Sequence, residues 1–160
     1  MKNTASSQFD IFLSLVTVFS VAFFDRITKG LFTDILDLGE SLPVVRNFLH
    51  ITLVHNTGIA FGLFKNQGFV FIVIPVIAII LLVYNIYYYR YNEENLSRLY
   101  IVAFSMILGG AIGNLIDRMY FGYVIDFIDF RVWPVFNIAD SAITIGAIIV
   151  AVKCIPVSAR

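Results

Sequence analysis

Charge is scarce in this sequence. Of its 160 residues only 14% are charged, against 59% hydrophobic and 16% aromatic, whereas a soluble domain carries about a quarter charged residues. So few charges cannot cover a water-facing surface, and lipid must cover much of it. Lys plus Arg and Asp plus Glu number 11 each, for a net charge of zero. With no basic run or stripe, a nucleic-acid partner is excluded. The single cysteine, Cys154, excludes an internal disulfide. The only two histidines, His50 and His55, lack a third ligand at a recognisable spacing, and H-E-x-x-H is absent, so no metal site is expected. There is no P-loop and no dinucleotide fingerprint, so no cofactor is expected either. Ser141 has no G-x-S-x-G context and no evident base.

Long apolar runs are what the sequence has in quantity. A membrane span needs roughly 20 mostly apolar residues, and four stretches qualify, at about 9–32, 69–89, 99–116 and 137–155. They predict one all-α membrane domain over residues 1–160, with four transmembrane helices. Lys2 resembles the basic start of a cleaved signal peptide, but no small-x-small site precedes a mature domain, so the first run is read as a retained helix. Tyr84, Tyr87, Tyr88, Tyr89 and Tyr91 crowd one end of the second run, as an interfacial belt would. Pro75 predicts a kink near its start. Gly109 and Gly113, and likewise Ala142 and Gly146, are spaced for close helix packing.

The two long connections, about 33–68 and 117–136, are mixed in character. Leu49 to Leu53 alternates apolar and polar, the period of a half-buried strand, and predicts a small β-element against the membrane surface. Orientation is not decided by basic residues. Lys2, Arg90, Arg98, Lys153 and Arg160 fall on one side, and Arg26, Lys29, Arg46, Lys65, Arg118 and Arg131 on the other, a near-even split under the positive-inside rule.

The polar residues in these runs are the functional candidates, because ionisable groups at membrane depth are costly. Asp25 and Lys29 lie late in the first run, Asn114, Asp117 and Arg118 at the end of the third, and Asp140 at the start of the fourth. Alternating helix direction brings all of them to one membrane face, together with Asn56, Asp126 and Asp129 from the connections. Such convergence is what an active site needs. Asp25 and Lys29 are spaced to pair on one helix face; a structural ion pair and direct substrate contact are both open. Asn56 and Asn114 can each donate and accept, and Arg118 offers a rigid fork of donors.

Two carboxylates in a poorly solvated place resist both being ionised, so one keeps its proton. Asp126, after Tyr123-Val124-Ile125, and Asp140, flanked by Ile138, Ala139 and Ala142, are such a pair. They could supply a general base and a general acid for peptide hydrolysis by water. Asp129 is a rival for the first role. Asp140 could instead be a first-turn acid favoured by the helix dipole.

These residues fall in blocks: Asp25-Arg26-x-Thr28-Lys29; His55-Asn56-Thr57-Gly58-Ile59-Ala60-Phe61; Gly109-Gly110-Ala111-Ile112-Gly113-Asn114-Leu115-Ile116-Asp117-Arg118; Val124-Ile125-Asp126-Phe127-Ile128-Asp129; and Phe136-Asn137-Ile138-Ala139-Asp140-Ser141. In order and spacing the chain resembles lipoprotein signal peptidase, the bacterial type II signal peptidase. The resemblance implies a multi-pass aspartic endopeptidase of the bacterial inner membrane, with both termini cytoplasmic and the site at the extracytoplasmic face. It would cut prolipoproteins before a cysteine already carrying diacylglycerol. Asp126 and Asp140 match the family's catalytic pair. Asp25, Lys29, Asn56, Asn114, Arg118 and Asn137 match supporting polar positions, and Gly58, Ala60, Gly110, Phe136 and Ala139 match pocket-shaping ones. Ile59 and Ile125 stand where the family often has Ala and Val, changes that add only apolar bulk. The expected partners are lipid-modified prolipoproteins and membrane lipids, and a monomer suffices. The 33–68 connection is expected to act as a cradle or lid over the peptide.

Other functions fit these residues less well. A proton-coupled transporter would place its site at the bilayer midplane within repeated, broken helices. A scaffold would not depend on the carboxyl groups. The G-x-G-D signature of presenilin-type proteases is missing.

Overall fold

A computed structural model of the chain describes residues 4–58, 70–92 and 97–154. In chain order the elements are α1 (Thr4–Ile35), β1 (Ser41–Val45), β2 (Leu49–Asn56), α2 (Val70–Asn92), α3 (Arg98–Phe121), β3 (Val124–Asp129) and α4 (Ile138–Cys154). All four apolar runs are therefore helical. Among the described residues, two helices are long and apolar enough to cross a membrane, Ser6–Ile35 and Arg98–Phe121. The other two runs contain shorter apolar helical stretches, Ile72–Tyr84 and Ile138–Val152. Pro75 lies inside α2, and the exposed rings of Tyr84, Tyr87 and Tyr88 stand near its end. The side chains of Tyr89 and Tyr91, and the whole of Ile59, Ala60 and Phe61, lie outside the described residues.

Helix α3 is the central post and packs against α1, α2 and α4. Its small residues allow this closeness. A methyl group at Gly109 would sit 2.9 Å from both the Val18 carbonyl oxygen and Val21 Cβ of α1. One at Gly110 would run into the carbonyl oxygen of Ala139 at the start of α4. On the α4 side, Gly146 lies against the Ala103 carbonyl and Ile107 of α3. The expected small-residue contacts are thus real helix crossings, made by backbone approach.

The third apolar run was expected to end near Ile116, where Asp117 and Arg118 interrupt it. The helix continues to Phe121, because charge ends hydrophobicity without ending the backbone hydrogen bonds of a helix. Gly122 ends it instead, with φ 78° and its N–H donating to the Arg118 carbonyl at 3.1 Å. Only a residue without Cβ adopts that left-handed cap at no steric cost.

The strand expected over Leu49 to Leu53 is β2, extended to Asn56. It is the centre of a three-stranded antiparallel sheet in the order β1-β2-β3. Ser41 pairs with Thr52 on one side, and Val54 with Asp126 and Asn56 with Val124 on the other. Leu53 of β2 and Ile125 of β3 bury their side chains against Leu36, just past α1, so the sheet sits on the end of the first helix. His55 stacks on Tyr123 with ring centroids 3.9 Å apart. This brings the start of β3, immediately after α3, into register with the end of β2.

Candidate active site

The site is built around a buried cation. Lys29 projects from α1 and its side chain has no exposed surface. Its ammonium group contacts Asp25 Oδ2 at 2.7 Å, Asp117 Oδ2 at 2.8 Å and Asn114 Oδ1 at 3.0 Å. Three donors therefore meet three acceptors, so the buried side chain has its full set of hydrogen-bond partners. The Asp25–Lys29 pairing follows from their spacing, one helical turn apart on α1.

The two carboxylates each reach one further group. Asp25 Oδ1 accepts the backbone N–H of Ala139 at 2.9 Å, at the start of α4. Asp117 Oδ2 accepts the backbone N–H of Ile125 at 3.2 Å, on β3. Asp117 Oδ1 has no hydrogen-bond partner, and the guanidinium of Arg26 stands 3.6 Å away. Asn114 adds a third link, donating through Nδ2 to Asp140 Oδ1 at 2.7 Å.

Asp126 and Asp140 meet at Asn137. The Asn137 side-chain amide donates to Asp126 Oδ1 at 2.7 Å, to Asn114 Oδ1 at 3.0 Å and to the Ile125 carbonyl at 3.2 Å. Its own Oδ1 accepts the Asp140 N–H at 2.8 Å, while its backbone N–H donates to Asp140 Oδ2 at 3.4 Å. That reciprocal pattern is a capping box at the first turn of α4. Asp140 is thus a first-turn acid as well as a neighbour of Asp126. The second oxygen of Asp126 accepts from Asn56 Nδ2 at 2.8 Å, and Asn56 Oδ1 in turn accepts the Gly58 N–H at 2.9 Å.

The two acids differ in setting. Asp126 is 1% exposed and Asp140 is half-buried. Burial pushes the Asp126 carboxyl up to about 6, against the hydrogen bond from Asn56 and with the nearby Asp140 charge adding to the rise. A group in that position exchanges a proton near neutral pH, which is what acid–base work requires.

Among the other expected site residues, Gly110 of α3 packs against the backbone of Ala139, the residue before Asp140, with no room for a Cβ. Phe136 bridges to Ile128 through two backbone hydrogen bonds, at 2.7 and 3.1 Å, which holds the chain entering Asn137 against β3. Gly58 serves through Asn56. Arg118 is half-buried among the charges of Asp140, Asp126 and Asp117, and makes no hydrogen bond or ion pair with them among the described residues. Ala60 lies outside the described residues, as does part of the 33–68 connection. Asp129 stands apart. It is three positions after Asp126, so its side chain leaves the opposite face of β3. It accepts from Thr52 Oγ1 at 2.8 Å and from the Arg131 N–H at 2.7 Å. Burial raises its carboxyl, but these bonds outweigh burial and hold it below the usual carboxylate range.

Asp117 is the participant that sequence reasoning left without a role. It was visible only as one of three polar residues ending the third apolar run. Its position one turn after Asn114 on α3 was the available signal, since that spacing puts both on the face that meets Lys29. Among the described residues no group of three or more His, Cys, Asp and Glu could hold a metal ion.

The family model described as Signal peptidase (SPase) II matches residues 17–156 of the chain. The lipoprotein signal peptidase of Caldanaerobacter subterraneus subsp. tengcongensis is 48% identical over 138 residues, covering 86% of this chain and 92% of the relative. That of Halothermothrix orenii is 43% identical over 132 residues, covering 82% of this chain and 88% of the relative. A bacterial membrane enzyme solved by the in meso method at 1.9 Å superposes with a TM-score of 0.81 at 34% identity, over 91% of this chain and 94% of the other. A second, solved at 2.3 Å, gives 0.75 at 36% identity, over 88% and 85%.

Proposed function

The chain belongs to the signal peptidase II family, and from that premise we propose that it is an aspartic endopeptidase that removes signal peptides from diacylglyceryl-modified prolipoproteins. The cut falls before the lipid-bearing cysteine, and Asp126 and Asp140 perform it. The observation that carries this reading is the Asn137 bridge. One residue donates to Asp126 through its side chain and to Asp140 through its backbone, which ties a buried acid and a half-buried one into one polar cluster.

In this reading the dyad holds one proton between its members. The ionised carboxylate takes a proton from water, and the water oxygen adds to the scissile carbonyl carbon. The protonated carboxyl gives its proton to the carbonyl oxygen, so a neutral gem-diol forms. As that diol collapses the C–N bond breaks, the proton collected from water passes to the leaving amine, and one diol hydroxyl returns its proton to the carboxylate that had given one up, which leaves the new carboxyl group and restores the singly protonated dyad. No covalent enzyme intermediate arises. Asn56 and Asn137 stay bonded to Asp126 throughout and fix its orientation. Arg118 supplies positive charge beside both acids, which limits the cost of an ionised member in a dry site.

Four transmembrane helices with both termini in the cytoplasm would put this site at the extracytoplasmic face, in one domain spanning the chain. A peptide anchored by its own diacylglycerol presents its scissile bond at that depth. The 33–68 connection then covers the peptide and sheds water; cleavage undiminished by deletion of Leu49 to Leu53 would remove that part. The central test uses purified protein with a diacylglyceryl-modified lipobox peptide and its unmodified twin. Cleavage of the first alone, abolished in Asp126→Asn and Asp140→Asn, is the expected result. Equal cleavage of both peptides would exclude the proposed specificity, and cleavage that survives either substitution would exclude the dyad.

A further inference from the structure

Asp117 is an almost fully buried acid that the reaction above does not use. Asp25 pairs with Lys29 at 2.7 Å, and Asp117 completes the acceptor set of that ammonium at 2.8 Å, with the Arg26 guanidinium 3.6 Å from its Oδ1. A second carboxylate in the same pocket adds a buried negative charge, and its Oδ1 is left without a hydrogen-bond partner. Pairing with Lys29 is one role of this carboxylate, and the backbone N–H that it also accepts points to a second.

That role is legible in what Asp117 touches. Ile125 immediately precedes Asp126 on β3, an edge strand of the sheet. In a strand the N–H and C=O of one residue point to the same side. For Ile125 both point away from sheet pairing and are caught by side chains: the N–H by Asp117 Oδ2 at 3.2 Å and the C=O by Asn137 Nδ2 at 3.2 Å. The peptide on either side of Ile125 is therefore held, and with it the direction in which Asp126 leaves the backbone. The same device appears on the other acid. Ala139 immediately precedes Asp140, and its N–H is held by Asp25 Oδ1 at 2.9 Å. Lys29 binds both holding carboxylates.

We propose that Asp117 is a positioning residue for the cleavage reaction: its carboxylate, fixed by Lys29, clamps the Ile125 N–H and so aims Asp126 at the shared water, as Asp25 clamps Ala139 and aims Asp140. This rests on the peptidase reading of the dyad.

The test combines amide hydrogen exchange with cleavage kinetics on the full chain in detergent. Asp117→Ala is expected to speed exchange at Ile125 and leave Ala139 protected; Asp25→Ala is expected to do the reverse. With the lipid-modified peptide, Asp117→Ala should lower kcat by about 100-fold, the cost of a misplaced catalytic group, with KM little changed. Asp117→Asn keeps an oxygen that can accept from Ile125, so it should keep that amide protected and recover kcat by about 10-fold over the alanine variant, the worth of one net hydrogen bond. Unchanged protection at Ile125 in Asp117→Ala, loss of protection at both amides together, or equal kcat in the Ala and Asn variants would overturn the clamp. Exchange is read without cleavage. A wild-type chain that left the lipidated peptide intact would sink the peptidase reading, with the Ile125 result standing separately.

Discussion

The Asn137 side chain donates to Asp126 Oδ1 at 2.7 Å, and the same residue caps the helix on which Asp140 sits. Helix capping and the orientation of the proposed dyad thus share one amide. Asn137→Ala removes both functions. The cap loss alone should cost about 1 kcal/mol, or roughly 2–4 °C in melting temperature for a chain of this size. Loss of dyad geometry should lower kcat by about 100-fold. Differential scanning fluorimetry and peptide cleavage measure the two effects separately. A variant that lost only stability would show that Asn137 caps α4 without organising the acids.

The raised Asp126 carboxyl has a consequence for stability. Between its ordinary value of 3.8 and about 6, the folded state binds more protons than the unfolded chain. Stability therefore falls as pH rises through that window, by up to about 3 kcal/mol in full. Asp126→Asn removes the titration. Relative to the variant, the wild type should lose melting temperature between pH 4 and pH 7. The variant gains less than the full amount, because Asn56 and Asn137 both aim donors at position 126 and one would then face another donor. Parallel melting curves across that range would contradict the account.

Lys29→Met leaves Asp25 and Asp117 buried without their common cation. Breaking a buried pair in this way costs about 3–5 kcal/mol, enough to deplete folded protein. Lys29→Arg should not rescue it, because the side chain has no exposed surface and a planar guanidinium cannot reproduce three contacts converging on one nitrogen. Yield and melting temperature after detergent extraction report the outcome. Wild-type stability in the arginine variant would mean that the pocket is looser than its contacts imply.

Two glycines make a matched comparison. Gly110→Ala drives a methyl group into the Ala139 carbonyl, one residue from Asp140, and should cost about 1–3 kcal/mol together with most of the activity. At Gly30 a methyl group would meet nothing within 4 Å, and alanine there should stabilise α1 by up to about 1 kcal/mol with cleavage unchanged. Equal effects at the two sites would argue against close α3–α4 packing as the support of the dyad.

Much of this was open to reading from residue order. The Asp25–Lys29 pair follows from one helical turn, and β2 follows from the alternation in Leu49 to Leu53. The helix crossings follow from the spacing of Gly109, Gly113, Ala142 and Gly146. β1 and β3 were not legible. β1 exposes all five of its residues, and β3 buries five of six, so neither alternates. The dual role of Asn137 was hidden too, because a capping asparagine and a ligand-orienting asparagine look the same in one dimension. The end of α3 was missed because hydropathy reports depth in lipid, while Gly122 reports where the backbone turns.

The order of synthesis gives the Lys29 pocket a last significance. Asp25 and Lys29 emerge together and can neutralise each other as soon as the first helix enters the bilayer. Asp140 and the Ala139 N–H arrive with the final helix. A nascent chain, or one truncated before α4, therefore holds a settled ion pair and a solitary acid. Under the proposed mechanism Asp126 has no partner acid until α4 has been made, so hydrolysis would wait on the last helix of the chain.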